Sequence, residues 1–313
     1  MQTVGENALF NEKTCVAIGC FDGVHRGHAA VISAAVDEAK RRGQKSVALT
    51  FDMSKKRAKG KGAHDLITFS EKERLIAALG ADYLCVLDFS DICDLCGEEF
   101  VSEILSKRLS ASAVFCGEGF RFSKNKSCGT AELKELCAAE GIDTATVAEG
   151  CDGGVISTTR IKALAEAGEV GAAARLLGHP LIYTGSVKKG RMLARRLGFP
   201  TANVRYPDGV IRVRFGVYRT RAYADGRTYE AISNIGVRPT VDNTREVFIE
   251  TFLIEYEGDL YDKEVSVELI RFIRDEKRFS DETGLRAAVW ADIEEVKREI
   301  AAERTQKEQN RQN

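Results

Sequence analysis

The pattern of apolar residues changes near residue 180, and this change constrains the fold more than any other feature of the chain. Up to about residue 150, short apolar runs alternate with segments of helical periodicity, which is typical of parallel strands joined by crossover helices. After Pro180, β-branched and aromatic residues alternate with polar ones in four segments, which indicates antiparallel strands. The sequence therefore predicts an α/β domain over residues 1–180 and a small antiparallel β-barrel with a C-terminal helix over residues 181–313.

Size and charge fit this division. A chain of 313 residues with 44% hydrophobic content exceeds the usual size of one domain. Its 46 Lys and Arg against 47 Asp and Glu leave a formal charge of -1, so no overall field would hold it on nucleic acid or on an anionic membrane. No apolar run approaches the roughly 18 residues of a membrane span, and the first residues lack a signal-peptide pattern. We expect a cytoplasmic protein whose partners are small molecules.

The nine cysteines are odd in number and scattered through the predicted strands and helices, which fits reduced thiols better than a disulfide framework. Only Cys93 and Cys96 have the spacing of a motif. A metal or redox role for that pair would need a second ligand pair or a helix that starts directly after the first cysteine. Since the sequence offers neither, we interpret both residues as ordinary thiols near a helix N-terminus.

The segment between the first predicted strand and the first predicted helix combines glycines with two of the four histidines. It follows the C-terminal end of a parallel strand, where open α/β sheets bind ligands. A helix N-terminus offers unpaired N–H groups to phosphates, and imidazoles add donors. A His-x-x-His pair alone is also compatible with a structural role, but the glycines allow close approach of a ligand. The candidate nucleotide-binding residues are Gly19, Phe21, Asp22, Gly23 and Gly27, with His25 and His28 as candidate catalytic residues.

Residues 19–28, GCFDGVHRGH, closely resemble the G-x-F-D-G-V-H-x-G-H motif of bacterial FMN adenylyltransferases, which belong to the His-x-Gly-His nucleotidyltransferase superfamily. The resemblance implies a Rossmann-like nucleotidyltransferase domain. A second element, ISTTRIK at 156–162, is similar to the family's I-S-S-T-x-x-R, which implies that Ser157, Thr158 and Lys162 contact the nucleotide. Helix capping is the alternative role for the first two. Lys162 stands where the family usually has Arg, so it keeps the charge but lacks the bidentate fork.

Two loops that the family uses on the flavin side depart from its pattern. The usual T-F-x-P-x-P appears as TFDMS at 50–54, without proline. The usual G-x-D-F-x-F-G appears as GEGFRFS at 117–123, with Gly119 in place of the acid and Ser123 in place of the last glycine. The resemblance still implies that Phe120 and Phe122 contact the flavin.

A second constellation follows in the β-rich half, at the turn LGFPTAN over 197–203. Pro200 stiffens the turn, which presents the Thr201 hydroxyl and the Asn203 amide on one side of an extended chain. Oxygen donors placed in this way suit a magnesium ion that already carries phosphates and waters. A neutral turn with a local side-chain hydrogen bond is the alternative.

Further segments resemble the riboflavin kinase family in the right order: FGVY at 215–218, SNIGVRPT at 233–240, ETFLI at 250–254, GDLY at 258–261 and FIRDEKRF at 272–279. The resemblance implies that Glu250 is the catalytic base that takes the proton of the ribityl 5′-hydroxyl. Phe252 stands where the family has His. The resemblance also places Gly190, Thr201 and Asn203 at the nucleotide, Thr201 and Asn203 at Mg²⁺, and Arg274 and Phe279 at the flavin, with pairing to Asp275 and Glu276 as the alternative for Arg274.

Together the resemblances imply a bifunctional enzyme that uses ATP and Mg²⁺ to convert riboflavin into FMN and then FMN into FAD. One alternative is a riboflavin kinase with a degenerate N-terminal nucleotide-binding or scaffolding domain; the altered flavin-side loops favour it and the intact histidine motif opposes it. A non-catalytic flavin carrier is opposed by Glu250 with Thr201 and Asn203, because binding alone needs no proton acceptor. A fragment of an aminoacyl-tRNA synthetase, suggested by MSKK at 53–56, lacks the basic surface expected of such a protein.

Overall fold

The computed structural model describes residues 1–53, 64–148, 156–188, 198–239 and 245–312. None of the helices in these ranges is long and apolar enough to cross a membrane. The chain forms two compact units that exchange short segments. The first unit comprises Met1–Ile161, Leu176–His179 and Gly209–Ile211, and the second comprises Lys162–Arg175, Pro180–Asp208 and Arg212–Asn313.

A six-stranded parallel sheet forms the centre of the first unit, in the strand order β1-β4-β3-β2-β5-β6. The order reverses between β2 and β5, so the loops that follow these two strands leave the sheet at a topological switch point, the usual ligand-binding place of such folds. The strands are β1 Gln2–Val4, β2 Thr14–Ile18, β3 Lys45–Asp52, β4 Tyr83–Asp88, β5 Ala111–Gly117 and β6 Asp143–Val147.

Helices cover both faces of this sheet, which explains why β2 is buried along its whole length. Cys15 and Ala113 pack on one face against Ala39 of α1. On the other face a π-helix, Phe100–Arg108, contributes to the large apolar cluster. The α-helices of the first half of the chain are α1 Arg26–Arg42, α2 Phe69–Ala78, α3 Phe89–Ile92, α4 Gly97–Glu99 and α5 Thr130–Ala139, followed by α6 Thr158–Glu166 and α7 Val170–Leu177.

The second unit is built on a closed antiparallel barrel in the order β10-β11-β8-β7-β12-β9. Three hydroxyls meet inside it, since Ser233 hydrogen-bonds Thr220 at 2.9 Å and Thr251 at 2.8 Å. The predicted parallel sheet and antiparallel barrel are thus confirmed. The barrel strands are β7 Ile182–Lys188, β8 Ala202–Arg205, β9 Gly216–Ala224, β10 Arg227–Pro239, β11 Arg245–Leu253 and β12 Glu264–Arg274.

A long C-terminal helix, α8 (Glu282–Gln312), packs on the outside of the barrel. Its Ile293 and Val296 join an apolar cluster with Ile232 and Phe252 of the barrel wall. Ion pairs fix the same contact, among them Arg274 Nη2 to Asp292 Oδ2 at 2.7 Å. Phe252 therefore lies in an apolar layer under α8, which explains why an aromatic residue is accepted where the riboflavin kinase pattern has His.

Candidate nucleotide and flavin sites

The loop after β2 is held by hydrogen bonds from two other elements. The carbonyl oxygen of Cys20 accepts from Thr50 Oγ1 at 2.9 Å and from the ammonium of Lys72, on α2, at 3.0 Å. The Asp22 carboxylate accepts from the backbone N–H of Leu66 at 2.6 Å. These bonds satisfy Asp22 inside the protein, so its position after an aromatic residue has a structural reason. The buried Lys72 also places a positive charge beneath the loop.

Two glycines of the loop are required by sterics. A Cβ at Gly19 would lie 2.7 Å from the ring of Phe21. Gly23 has a φ of 80°, and its Cβ would lie 2.7 Å from a methyl carbon of Leu66. The carbonyl oxygen of Gly23 lies 2.9 Å from Nε2 of His179, which must carry the proton because a carbonyl only accepts. The backbone of the loop is therefore fixed before any ligand binds.

The two histidines stack on each other at the start of α1. Nδ1 of His25 accepts a hydrogen bond from the backbone N–H of His28 at 3.3 Å, so His25 caps the helix. The centroids of the two rings are 3.6 Å apart, and the Phe21 ring lies edge-to-face with His28 at a centroid distance of 5.5 Å. Nδ1 of His28 is buried and has no hydrogen-bond partner among the described residues. This atom is the unsatisfied polar group of the site.

Burial keeps both imidazoles neutral. It lowers the pKa of His25 to about 4, although the nearby Asp22 carboxylate opposes the change. Burial also lowers the pKa of His28 well below its usual value, helped by the charges of His25 and Lys72. Near neutral pH each ring is therefore a hydrogen-bond donor without a full charge, which suits contact with phosphate oxygens.

The low pKa of His25 predicts a pH-dependent stability of α1. Between about pH 6.5 and pH 4 the unfolded chain binds the proton and the folded chain does not, so stability is lost as the pH falls through this range. At about 1.4 kcal/mol per pKa unit, we expect the opening free energy of α1 to fall by roughly 3–4 kcal/mol. Hydrogen exchange of the α1 amides at several pH values measures it. His25→Asn keeps a capping oxygen without a titrating ring and should show a shallower dependence; an unchanged slope would contradict the assignment.

A cavity of about 1100 Å³ lies where the loops after β2 and β5 meet. One wall carries two aromatic rings, since Phe120 stacks on Phe122 with centroids 5.8 Å apart. Residues of the glycine and histidine motif also line the cavity. The cavity therefore brings the predicted nucleotide side and the predicted flavin side together at the switch point of the sheet. Six of the predicted site residues line it: Gly19, Phe21, Gly27, His28, Phe120 and Phe122.

The two departures in the loop after β5 differ in their structural effect. At Gly119 an added Cβ would meet nothing within 4 Å, so the missing carboxylate leaves open space. Ser123 has φ 68° and ψ 172°, a conformation that favours glycine. Its hydroxyl donates to the carbonyl oxygen of Leu95 at 3.1 Å. Residue 123 thus has a backbone conformation that is typical of glycine, although it is a serine.

This conformation predicts an unusual order of stability among variants of Ser123. Both Ser123→Ala and Ser123→Gly lose the hydroxyl bond to Leu95, but only glycine relieves the strain. We expect Ser123→Gly to be more stable than Ser123→Ala by about 1 kcal/mol or more, the reverse of the usual preference for alanine. Urea unfolding of the two variants measures the difference. A more stable alanine variant would show that the backbone is not strained.

The predicted second nucleotide element forms the start of α6. Ser157 caps the helix, because its Oγ accepts from the backbone N–H of Arg160 at 3.3 Å. Thr158 is the first helical residue and Lys162 lies one turn further along. Neither Ser157 nor Thr158 is among the described residues that line the cavity. Their contact with a nucleotide, and that of Lys162, stays a prediction.

In the barrel, Glu250 lies between two asparagines on neighbouring strands. It is directly opposite Asn203 of β8 and Asn234 of β10, so the three side chains share one face. Ile249 and Thr251, its neighbours in sequence, are fully buried and fill the interior. The Glu250 face is therefore the outer one. Nδ2 of Asn203 donates to the carbonyl oxygen of Thr201 at 3.3 Å, the local bond that the sequence left as an alternative.

The segment after β12 lies beside this face. Nδ2 of Asn234 donates to a carboxylate oxygen of Glu276 at 3.2 Å, and a Cβ at Gly236 would lie only 1.9 Å from the same oxygen. Arg274 donates from Nε and Nη2 to Asp292 of α8, not to the side chains of its sequence neighbours. The arginine predicted at the flavin thus already has an ionic partner within the chain.

Some predicted residues fall outside the described ranges, and some important ones were not predicted. Gly190, Thr240 and residues 54–57 of the loop after β3 belong to the first group. Lys72 and His179 belong to the second; each contacts a motif from a distant point of the chain, and no local pattern marks it. Asn234 lies within the SNIGVRPT segment, but its place beside Glu250 was not predicted. Phe279 lies 3.6 Å from the position of a Cβ on Gly284, near the start of α8.

Comparison with known proteins divides the chain in the same order. A family model described as FAD synthetase matches residues 8–160, and one described as riboflavin kinase matches residues 177–300. A bifunctional riboflavin kinase/FMN adenylyltransferase of Escherichia coli K12 is 33% identical over 90% of this chain and 91% of its own. One from Bacillus subtilis is 30% identical over 91% of this chain and 92% of its own.

A solved structure from Streptococcus pneumoniae, described as a macrolide-efflux protein, has nearly the same fold. It superposes with a TM-score of 0.85 at 27% identity and covers 95% of this chain and 99% of its own. The likeness extends over both units.

Proposed function

This chain belongs to the family of bifunctional riboflavin kinase/FMN adenylyltransferases, and from this premise we propose which residues carry each of its two reactions. The enzyme phosphorylates riboflavin to FMN and adenylylates FMN to FAD. Both family matches lie in one chain, which favours this function over a kinase with a scaffolding N-terminal domain. The single observation that supports the residue assignment is the cavity shared by His28 and the Phe120–Phe122 pair.

For the adenylyl transfer, we assign ATP to the Gly19–His28 loop and the flavin ring to Phe120 and Phe122. A phosphate oxygen of FMN attacks the α-phosphorus of ATP, a new P–O–P bond forms, and pyrophosphate leaves. The neutral imidazoles of His25 and His28, with the N-terminus of α1, donate hydrogen bonds to oxygens on which charge builds. The place of His28 in the cavity lining supports this assignment, since a phosphate bound in the cavity can contact its ring.

For the phosphoryl transfer, we assign Glu250 as the base. The ribityl 5′-hydroxyl attacks the γ-phosphorus of ATP, its proton passes to the carboxylate, and ADP leaves. Asn203 and Asn234 flank the carboxylate on both sides at register positions. They fix its surroundings, because two neighbouring strands hold them in place.

Magnesium fits the donor set of this region. Thr201 contributes a hydroxyl with no hydrogen-bond partner among the described residues, and Asn203 an amide whose nitrogen is already bound to the Thr201 carbonyl. Hydroxyl and amide oxygens are ligands that Mg²⁺ accepts together with phosphates, and the ion would neutralise charge on the transferring group.

We therefore expect Thr201→Ala and Asn203→Ala to raise the magnesium concentration needed for half-maximal FMN formation. The physical reason is the loss of one oxygen donor near the phosphates. Titration of Mg²⁺ at fixed ATP and riboflavin measures the shift. Since Ala202 faces the interior beside Thr251, Ala202→Gly serves as a control in the same strand. Unchanged magnesium dependence in both variants would contradict the assignment.

One experiment tests the whole proposal. Purified protein is incubated with riboflavin, ATP and Mg²⁺, and the products are separated into FMN and FAD. FMN followed by FAD is the expected result, whereas FMN alone would support the scaffolding alternative. The boundary of the two domains near Pro180, the cytoplasmic location and the use of Mg²⁺ stay predictions from the sequence.

A further inference from the structure

A strained turn forms part of the cavity wall. Ser123, Asn125 and Lys126 have φ values of 68°, 57° and 57°, all in the left-handed region, although none is glycine. Each such residue costs on the order of 1 kcal/mol or more and persists only where the surroundings impose it. Local bonds impose it here: the backbone N–H of Lys124 and the hydroxyl of Ser123 both donate to the carbonyl oxygen of Leu95.

The turn brings three cationic side chains to the cavity, and two of them have partners. Arg121 donates from Nε to the carbonyl oxygen of Lys126 at 2.9 Å, so it is used to hold the turn. Lys124 forms an ion pair with Asp94 at 3.4 Å, and Asp94 is the one acid among the described lining residues. Lys126 has no ion-pair or side-chain hydrogen-bond partner within the described part of the chain. Its ammonium group is therefore available to pair with an anionic group of a ligand.

Lys126 lines the same cavity as the two predicted halves of the site. The aromatic pair Phe120 and Phe122 belongs to the same loop, and the cavity continues from there to Gly19 and Cys20. Lys126 and Cys20, which follows Gly19 in the motif loop, both line this cavity. In FAD the phosphate of FMN links the flavin to the adenylyl group, so this phosphate should lie between the flavin ring and the ATP.

We propose that Lys126 determines specificity for phosphorylated flavin in the adenylyl transfer, by pairing with the phosphate monoester of FMN. This inference rests on the proposed function of the N-terminal unit. An enzyme that handles riboflavin and FMN in one chain must distinguish them at this site, and the two differ only by the phosphate. A positive charge that contacts the phosphate of FMN, but not the rest of the flavin, distinguishes FMN from riboflavin.

The test uses the full-length enzyme and the rate of FAD formation from FMN and ATP, which reports on the first unit alone. Lys126→Ala should raise the KM for FMN about 10- to 100-fold, the usual effect of removing a hydrogen bond to a charged group. The KM for ATP should change less than about twofold, and Lys126→Arg should restore most of the FMN affinity. Lys134→Ala, which removes an exposed lysine of α5 that is not among the lining residues, is the control and should stay near wild type.

A flavin without a phosphate separates charge recognition from a change of shape. 5′-Deoxyriboflavin cannot be phosphorylated, so its inhibition of FAD formation can be measured in the presence of ATP. Its inhibition constant should be the same in wild type and Lys126→Ala. Equal weakening of this inhibitor and FMN, an unchanged KM for FMN, or a rise in the KM for ATP instead would each overturn the inference. If the wild type forms FAD but one of these results is found, only the role of Lys126 is refuted and the proposed function stands. If the wild type forms no FAD, the adenylyl transfer and the role of Lys126 are both refuted.

Discussion

We expect Glu250→Gln to lower FMN formation by roughly two to four orders of magnitude and to leave the binding of riboflavin and ATP nearly intact. The size of the loss is that expected when a general base is removed. Glutamine keeps the shape of the side chain and its place between Asn203 and Asn234, so the barrel strands keep their register. What disappears is the acceptor for the proton of the 5′-hydroxyl. Single-turnover FMN formation and equilibrium binding of riboflavin measure the two quantities separately.

Glu264→Gln is a suitable control for this experiment. Glu264 begins β12 and is exposed, so the same chemical change there should affect neither rate nor binding. A normal rate in Glu250→Gln would remove Glu250 from the mechanism. A variant that also loses riboflavin binding would assign the carboxylate to the binding of substrate instead of to proton transfer.

The fold was predictable where burial imposes a local pattern. The fully buried β2, the amphipathic α1 and the alternating strands of the barrel each carry their pattern within a few residues. β1 was not predicted, because three residues at the sheet edge are too few to show a period. The π-helix Phe100–Arg108 was also missed. The closed order of the barrel could not be predicted either, since register depends on pairs far apart in sequence.

The site was predictable to the extent that its residues are contiguous. Residues 19–28 form one continuous segment from the loop after β2 to the start of α1, so their glycine and histidine spacing, with the resemblance to the adenylyltransferase motif, allowed a prediction of nucleotide binding. Lys72 could not be found in this way, because a lysine on an amphipathic helix normally faces water. Its hydrogen bond to Cys20 depends on how α2 packs. Arg274 shows the opposite case, in which a residue inferred from a motif has a partner, Asp292, that only the structure reveals.

The open space at Gly119 and the strain at Ser123 give the altered loop a specific rescue. If the wild type forms FMN but no FAD at any concentration of ATP or magnesium, Gly119→Asp combined with Ser123→Gly is the change to make. The aspartate has room for its Cβ, and glycine suits the backbone that Ser123 already adopts. FAD formation by the double variant would locate the defect in this loop. Continued absence of FAD would locate it elsewhere.

We expect His28→Ala to abolish FAD formation from FMN and ATP and to leave riboflavin phosphorylation unchanged. The imidazole packs between the rings of His25 and Phe21 at the start of α1, and its buried Nδ1 has no hydrogen-bond partner among the described residues. A preorganised donor of this kind acts mainly on the charge that develops in the transition state, and its removal costs about two to three orders of magnitude in rate. Separate assays of FAD formation from FMN and of FMN formation from riboflavin measure the two effects on the same preparation.

The independence of the two reactions is the sharper part of this prediction. Glu250, Asn203 and Thr201 all belong to the barrel unit, so the kinase reaction provides an internal control for folding in the His28 variant. His28→Gln, which keeps an N–H donor on a side chain of similar length, should retain part of the FAD-forming activity. Equal loss of both activities in His28→Ala would contradict two independent sites, and with them the domain boundary near Pro180. Loss of FAD formation alone, with partial recovery in the glutamine variant, would identify the hydrogen bond to phosphate as the contribution of His28.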